Sequence, residues 1–435
     1  MKYNAPFGNS NDDAGYVNGN PETGVAGSIP PAASIEYPQR EIVNFVSVTG
    51  LTPSNSDLMQ LAKAVQIGRV NYGIDVGAPN AIAVTPVLPV AAYVPGLRMY
   101  IKVGNKNTSQ VTVALAGLGA VPLLHSDLSP LLAYELGVGQ LIEVCYDGTN
   151  FQMVGGGSPT QTVTMTAPAH LYVNASTGDD TLYDGTSAAV SGGHGGPFRT
   201  VQKALSVMAR YNLGGWDFYI HVADGVYANA APVEFPLPNG SGVVHVVGNT
   251  ANPVAASIFN TAAGSAWKIM LGGNWSLDGF SFRTTNQQAG DQGNGIWGAG
   301  AANITLGAAT WNSCYGDHFL LGPGGSALIA GPQTIVGGST VGSHLHGYTN
   351  GVLVNGIPAS PLLTITAAVA FPAGFVCASQ GGQTRPIYSS ITGASNVTGP
   401  KFKATLNGVI DSAGQGVNYL PGNSAGILQS GGQWA

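Results

Sequence analysis

The sequence predicts a mainly β protein whose second half is a stacked solenoid of short strands, closed at its N-terminal end by one short helix. Three observations predict it. From about residue 168 onward, short apolar runs alternate with glycine-rich or polar turns, as in "HLYVNA", "DFYIHVA", "GVVHVVGN", "WSLDGFSF" and "ANITLG", and triplets of them recur every 20 to 25 residues or so. Charged residues are only 8% of the chain and glycines number 64, against the roughly 25% charge of an average globular protein. Finally, "GGPFRTVQKALSVMARYNLGG" (195–215) places Val201, Ala204, Leu205 and Met208 on one helical face behind a Thr200 N-cap. No rung of a solenoid buries its own inner face, so this helix reads as the lid on the first one.

The other elements follow in chain order. Residues 1 to about 34 are rich in Gly, Pro and Asn and read as an extended arm that orders against a partner. The next thirty or so residues form a helical hairpin. Ile42, Val43, Phe45 and Val46 make one apolar face, and Leu58, Leu61, Ala62 and Val65 make a second. Such a hairpin is too small to bury its stripe alone, so it calls for copies of itself. Residues 1–67 thus form one arm-and-hairpin region. From 68 to 157 the period changes to two, as in "GLRMYIKV", "QVTVAL" and "QLIEVCYD", which predicts a small antiparallel β-domain. "GGGSPTQT" (155–162) reads as a linker, 168–385 as the solenoid and 386–435 as a C-terminal β segment.

Composition excludes several function classes. The chain carries 15 basic residues, none in a run, and a net charge of -6, so it lacks the electrostatic footprint for nucleic acid. The richest apolar stretch, from Asn80, is broken by Pro86, Pro89 and Pro95 and predicts no membrane insertion. "MKYNAPFGNSNDDAGYVNGN" has no apolar core of a signal peptide, so the expectation is synthesis in a cytoplasm and export within a larger object. Cys145, Cys314 and Cys377 are odd in number and widely spaced, which argues against a disulfide framework or a zinc site.

"LYVNASTGDDTLYDGTSAAV", "GGPFRTVQKALSVMARYN" and "DFYIHVADGVYAN" together resemble the opening segment of right-handed parallel β-helix proteins of the pectate-lyase-like group. "IPPAASIEYPQREIVNFVSVTGLTPSNSDLMQLAKAVQ" and the β-domain after it resemble the N-terminal half of bacteriophage and prophage tail-fibre proteins, and "KFKATLNGVIDSAGQGVNYLPGNSAGILQSGGQWA" is similar to the close of many such fibres. The resemblance implies a homotrimeric tail fibre or tailspike of the virion. Its N-terminal region, residues 1–67, would join the phage tail or baseplate, residues 68–157 would serve as a neck or shaft, and its β-helix would bind bacterial surface polysaccharide or lipopolysaccharide. Trimerisation would also cover the apolar surface that the low charge leaves unexplained.

The chemistry has rival readings. All six tryptophans lie after residue 215, and aromatic faces stack on sugar rings, so Trp275, Trp297, Trp311, Tyr315 and His318 are the candidate glycan-binding residues. If the protein is instead a depolymerase, a hydrolase or lyase, Asp278, Asp291 and Asp317 are the candidate carboxylates. A structural tail component without receptor binding is a third expectation. Asp179, Asp180 and Asp184 could hold calcium or simply form turns. His344 and His346, two apart on a strand, would point the same way and could gather around a threefold axis as a metal site. No cofactor motif is present.

Overall fold

The computed structural model describes residues 2–133, 135–154, 162–191, 195–260, 263–338, 342–355 and 361–435. Most of the predicted linker falls outside these residues. The chain divides into two compact units, Met1–Leu128 with Leu136–Ser158, and Ser129–Glu135 with Pro159–Ala435.

In the first unit, helices α1 (Ala32–Val48) and α2 (Gln60–Ile67) form the expected hairpin. Of its apolar residues only Val46 and Ala64 are buried, whereas Ile42, Val43, Leu58, Leu61 and Val65 remain exposed. Beyond the helices lies a seven-stranded sheet, and here the antiparallel prediction needs correcting. Arg98–Lys102 pairs antiparallel with Leu141–Tyr146, but Tyr72–Ile74 lies parallel to Arg98–Lys102, and Ala81–Val84 lies parallel to Val111–Leu115. The sheet is mixed. Alternation of apolar residues reports which side chains share a face and carries no information about strand direction.

The second unit is made of three long parallel ladders, the arrangement compatible with a β-helix. The first begins at Ala169–Val173 and holds ten strands; the second begins at Gly225–Asn229 and holds seven; the third begins at Val233–Glu234 and holds eight. The chain visits them in turn. Inward columns of aligned side chains form the core: Phe218, Val244, Trp275, Ile304, Ala327 and Leu353 in the first ladder, and Val233, Trp267, Ile296, Phe319, Leu345, Val376 and Phe402 in the third. Strands within 386–435 continue the same ladders, with Phe402–Thr405 on the third and Gln433–Trp434 on the first.

Helix α3 (Val201–Met208) packs on the opening strands Ala169–Val173, Phe218–Val222 and Val233–Glu234. Its predicted face is buried. The Thr200 hydroxyl oxygen accepts from the Lys203 N–H, and the hydroxyl itself donates to Asp180 Oδ2 at 2.7 Å. Asp180 Oδ1 also accepts the backbone N–H groups of Arg199 and Thr200. The Asp-rich loop therefore pins the start of the lid helix. Asp179 accepts from Thr181 and Leu182, and Asp184 from Thr186, so these carboxylates build turns. Thr200→Ala is expected to cost about 1 kcal/mol, measured as a lower urea midpoint at unchanged slope.

Five corners leading from the third ladder back to the first share one backbone device. In each, two consecutive residues have positive φ: Gly300 and Ala301, Thr349 and Asn350, Gln380 and Gly381, Leu406 and Asn407, Ser430 and Gly431. The residue after each pair donates its N–H back across the turn, as Gly382 does to the Ser379 carbonyl at 2.9 Å. The corners also bond to one another, Gly381 N–H donating to Leu406 O and Asn407 N–H to Ser430 O. A Cβ at Gly381 would come within 2.5 Å of Asn350 Oδ1, so a side chain there would have to displace that amide, while the matching positions Ala301, Asn350 and Asn407 carry side chains.

Candidate functional site

Outward positions of the third ladder line up as they must when strands are in register. Glu234, Lys268, Trp297, Leu320, His346, Cys377 and Lys403 form one outer column, with rungs about 4.8 Å apart. Trp297 takes its place there because it lies between inward Ile296 and Gly298. Its ring is half-buried, and Lys268 Nζ sits 5.3 Å from its centroid while also lying 3.7 Å from Glu234 Oε1.

Two clefts open along this column. One, about 620 Å³, is lined by Gln202, Ser206, Glu234, Phe235, Lys268 and Leu271; the other, about 660 Å³, by Gln287, Gln288, Gln292, Trp297, Leu320 and Tyr348. The first has helix α3 as one wall. The second is walled by the 287–292 loop, and the Lys268–Trp297 contact stands between the two. In the second cleft neutral amides surround the aromatic plate of Trp297, which suits a polymer rich in hydroxyl groups.

The other predicted ligand-binding residues lie elsewhere. Trp275 and Trp311 fill inward columns and are wholly buried, their ring N–H groups donating to Gly272 O and Gln333 Oε1 at 2.9 Å each. They are core residues and present no face to a ligand. His318 is equally buried, stacked on Trp311 at 5.3 Å, and burial pushes its imidazole down to about 3. Tyr315 is exposed, beside Gly293 at the end of the loop that walls the second cleft.

The candidate carboxylates are engaged by the fold. Asp278 Oδ1 accepts from the Ala308 N–H. Asp291, buried, accepts from the Ser265 hydroxyl and N–H and from the Gly293 N–H, which anchors the cleft loop. Asp317, also buried, binds the Ser343 hydroxyl and His346 Nδ1, while Asn294 Oδ1 accepts its N–H. These contacts build clasps, with Asp291 and Asp317 joined through Ser265 and Asn294.

His344 and His346 do not share a face. His344 points into the core, its Nδ1 3.1 Å from His318 Nδ1, whereas His346 stands in the outer column. Alternation breaks here because the chain is turning onto the third ladder, so His344 and Leu345 both point inward. Among the described residues no three His, Cys, Asp or Glu side chains cluster to hold a metal, and no helix is long and apolar enough to cross a membrane.

Sequence reasoning missed a plate of rings on the outside of the first ladder. His170 stacks on Tyr219 at 4.9 Å, Tyr172 on His221 at 5.0 Å and Tyr219 on His245 at 4.6 Å, with His170 Nδ1 3.0 Å from His221 Nε2. Burial and the neighbouring His170 lower the His221 pKa. The signal was present, since these residues alternate with inward Leu171, Ile220, Val244 and Val246. No protein-family model matches the chain, and no curated protein matches it.

Proposed function

We propose that the protein is a phage tail-fibre or tailspike subunit that binds a bacterial surface polysaccharide along the outer column of the third ladder. The observation that carries the reading is the second cleft, where Trp297 lies among Gln287, Gln288, Gln292 and Asn294, with the first cleft following along the same column of rungs. An indole plate offers a sugar ring its apolar C–H face, and Gln287, Gln288 and Gln292 offer partners to the hydroxyls. Low charge suits a neutral or weakly acidic polymer. The exposed apolar residues of α1 and α2 support self-association, with the N-terminal region joining the tail.

Trp297→Ala is expected to weaken binding to purified capsular or O-antigen polysaccharide from a susceptible host about 30-fold or more, read by calorimetry. Undiminished affinity would remove this column from the recognition surface. Light scattering at micromolar concentration tests the assembly: a mass of 44.1 kDa, that of one chain, contradicts the trimer.

A further inference from the structure

Three residues from successive rungs stand in line beside the second cleft. His346 Nδ1 lies 3.0 Å from Asp317 Oδ2, and His346 Nε2 lies 2.9 Å from Ser379 Oγ. Asp317 is buried, the His346 side chain is one-fifth exposed, and Ser379 is half-buried. We propose that Ser379, His346 and Asp317 form the acyl-transfer centre of an esterase acting on short acyl esters carried by the polysaccharide in the groove.

With the imidazole neutral, as a general base must be, the hydrogen-bond roles follow from the partners. An ionised carboxylate only accepts, so Nδ1 carries the proton that His346 donates to Asp317, and Nε2 is left as the lone pair that accepts from the Ser379 hydroxyl. Burial alone would push the Asp317 carboxyl up, but the adjoining His346 and the Ser343 hydrogen bonds outweigh it and hold the group below the ordinary carboxylate range. Asp317 is thus a positioning residue, fixing the tautomer and the ring plane. Cys377, directly opposite His346 in the ladder, is not a rival nucleophile: burial pushes its thiol up to about 12.

In the first half-reaction Ser379 Oγ bonds to the acyl carbon while its proton passes to His346 Nε2; the ester C–O bond then breaks and the alcohol leaves with that proton. Water adds to the acyl-serine, giving a proton to His346. The carboxylic acid departs as Ser379 Oγ takes that proton back.

The identity of the alcohol, a glycan hydroxyl, rests on the groove reading; the acyl transfer does not. The test treats the full-length protein with a fluorophosphonate probe and with p-nitrophenyl acetate, and separately measures acetate release from an O-acetylated bacterial polysaccharide that it binds. The expected results are a probe adduct on the peptide containing Ser379 and a loss of about 10³-fold in ester hydrolysis in Ser379→Ala, at an unchanged melting temperature. His346→Gln should behave alike, and Asp317→Asn should lower kcat with KM kept. An adduct elsewhere, or hydrolysis unchanged in Ser379→Ala, overturns the proposal. Polysaccharide binding with neither adduct nor hydrolysis overturns the esterase and leaves the groove reading standing. Adduct and p-nitrophenyl acetate hydrolysis without acetate release overturn the glycan ester as substrate and leave the acyl-transfer centre standing.

Discussion

Trp267→Ala is expected to destabilise the ladder unit by about 3–5 kcal/mol, the largest effect of any single truncation argued from this fold. Trp267 is fully buried in the inward column of the third ladder. Its ring centroid lies 5.1 Å from Phe235, 4.8 Å from Phe280 and 5.0 Å from Phe282, in tilted or edge-on contacts. Phe235 and Phe282 in turn touch Trp275 and Trp311, so the indole joins three inward columns at one level of the coil. Among the described residues the ring N–H has no acceptor, so the loss is one of packing. Neighbouring rungs are fixed by their ladder bonds and cannot collapse into the gap. A urea midpoint should fall sharply at constant slope; a change below about 1 kcal/mol would show that the site repacks, contrary to the argument.

The second large expectation is loss of stability in mild acid. His318 and His344 are buried together among Trp311, Phe371, Phe375 and Tyr388. Burial pushes His318 down to about 3, and burial together with the neighbouring His318 sets His344 well below its ordinary value of 6.5. The unfolded chain takes up protons near pH 6.5 while the folded core resists them. Their contribution is therefore full above about pH 6.5 and declines as the pH falls towards 3. Asp317, whose folded pKa is also lowered, acts in the same direction at still lower pH. Denaturation midpoints measured from pH 7.5 down to pH 4 should decrease steadily below about 6.5. A flat profile between pH 7 and pH 5 would mean that the imidazoles titrate normally.

Much of the scaffold was legible because burial imposes a period. The lid helix follows from Val201, Ala204, Leu205 and Met208, and the outward aim of Trp297 from its place between Ile296 and Gly298. The same rule, applied to Trp275 and Leu277 or to Ala309 and Trp311, marks both tryptophans as inward; reading them as sugar-binding by residue type overrode that phase. What lay beyond the sequence depends on register between distant strands. Ser379 meets His346 across 33 positions, and His346 meets Asp317 across 29. Rungs of unequal length hide both pairings. The positive φ of Gln380 and Leu406 was equally hidden, because neither residue type announces it.

The stacked left-handed corners have a consequence for how such a surface can change over evolutionary time. Each return bend is held by main-chain bonds and by the bend above or below it, with little demand on the side chains that point to solvent. Outer residues can therefore be exchanged rung by rung while the winding stays intact. Substitutions could thus accumulate along the outer stripe one position at a time without rebuilding the coil.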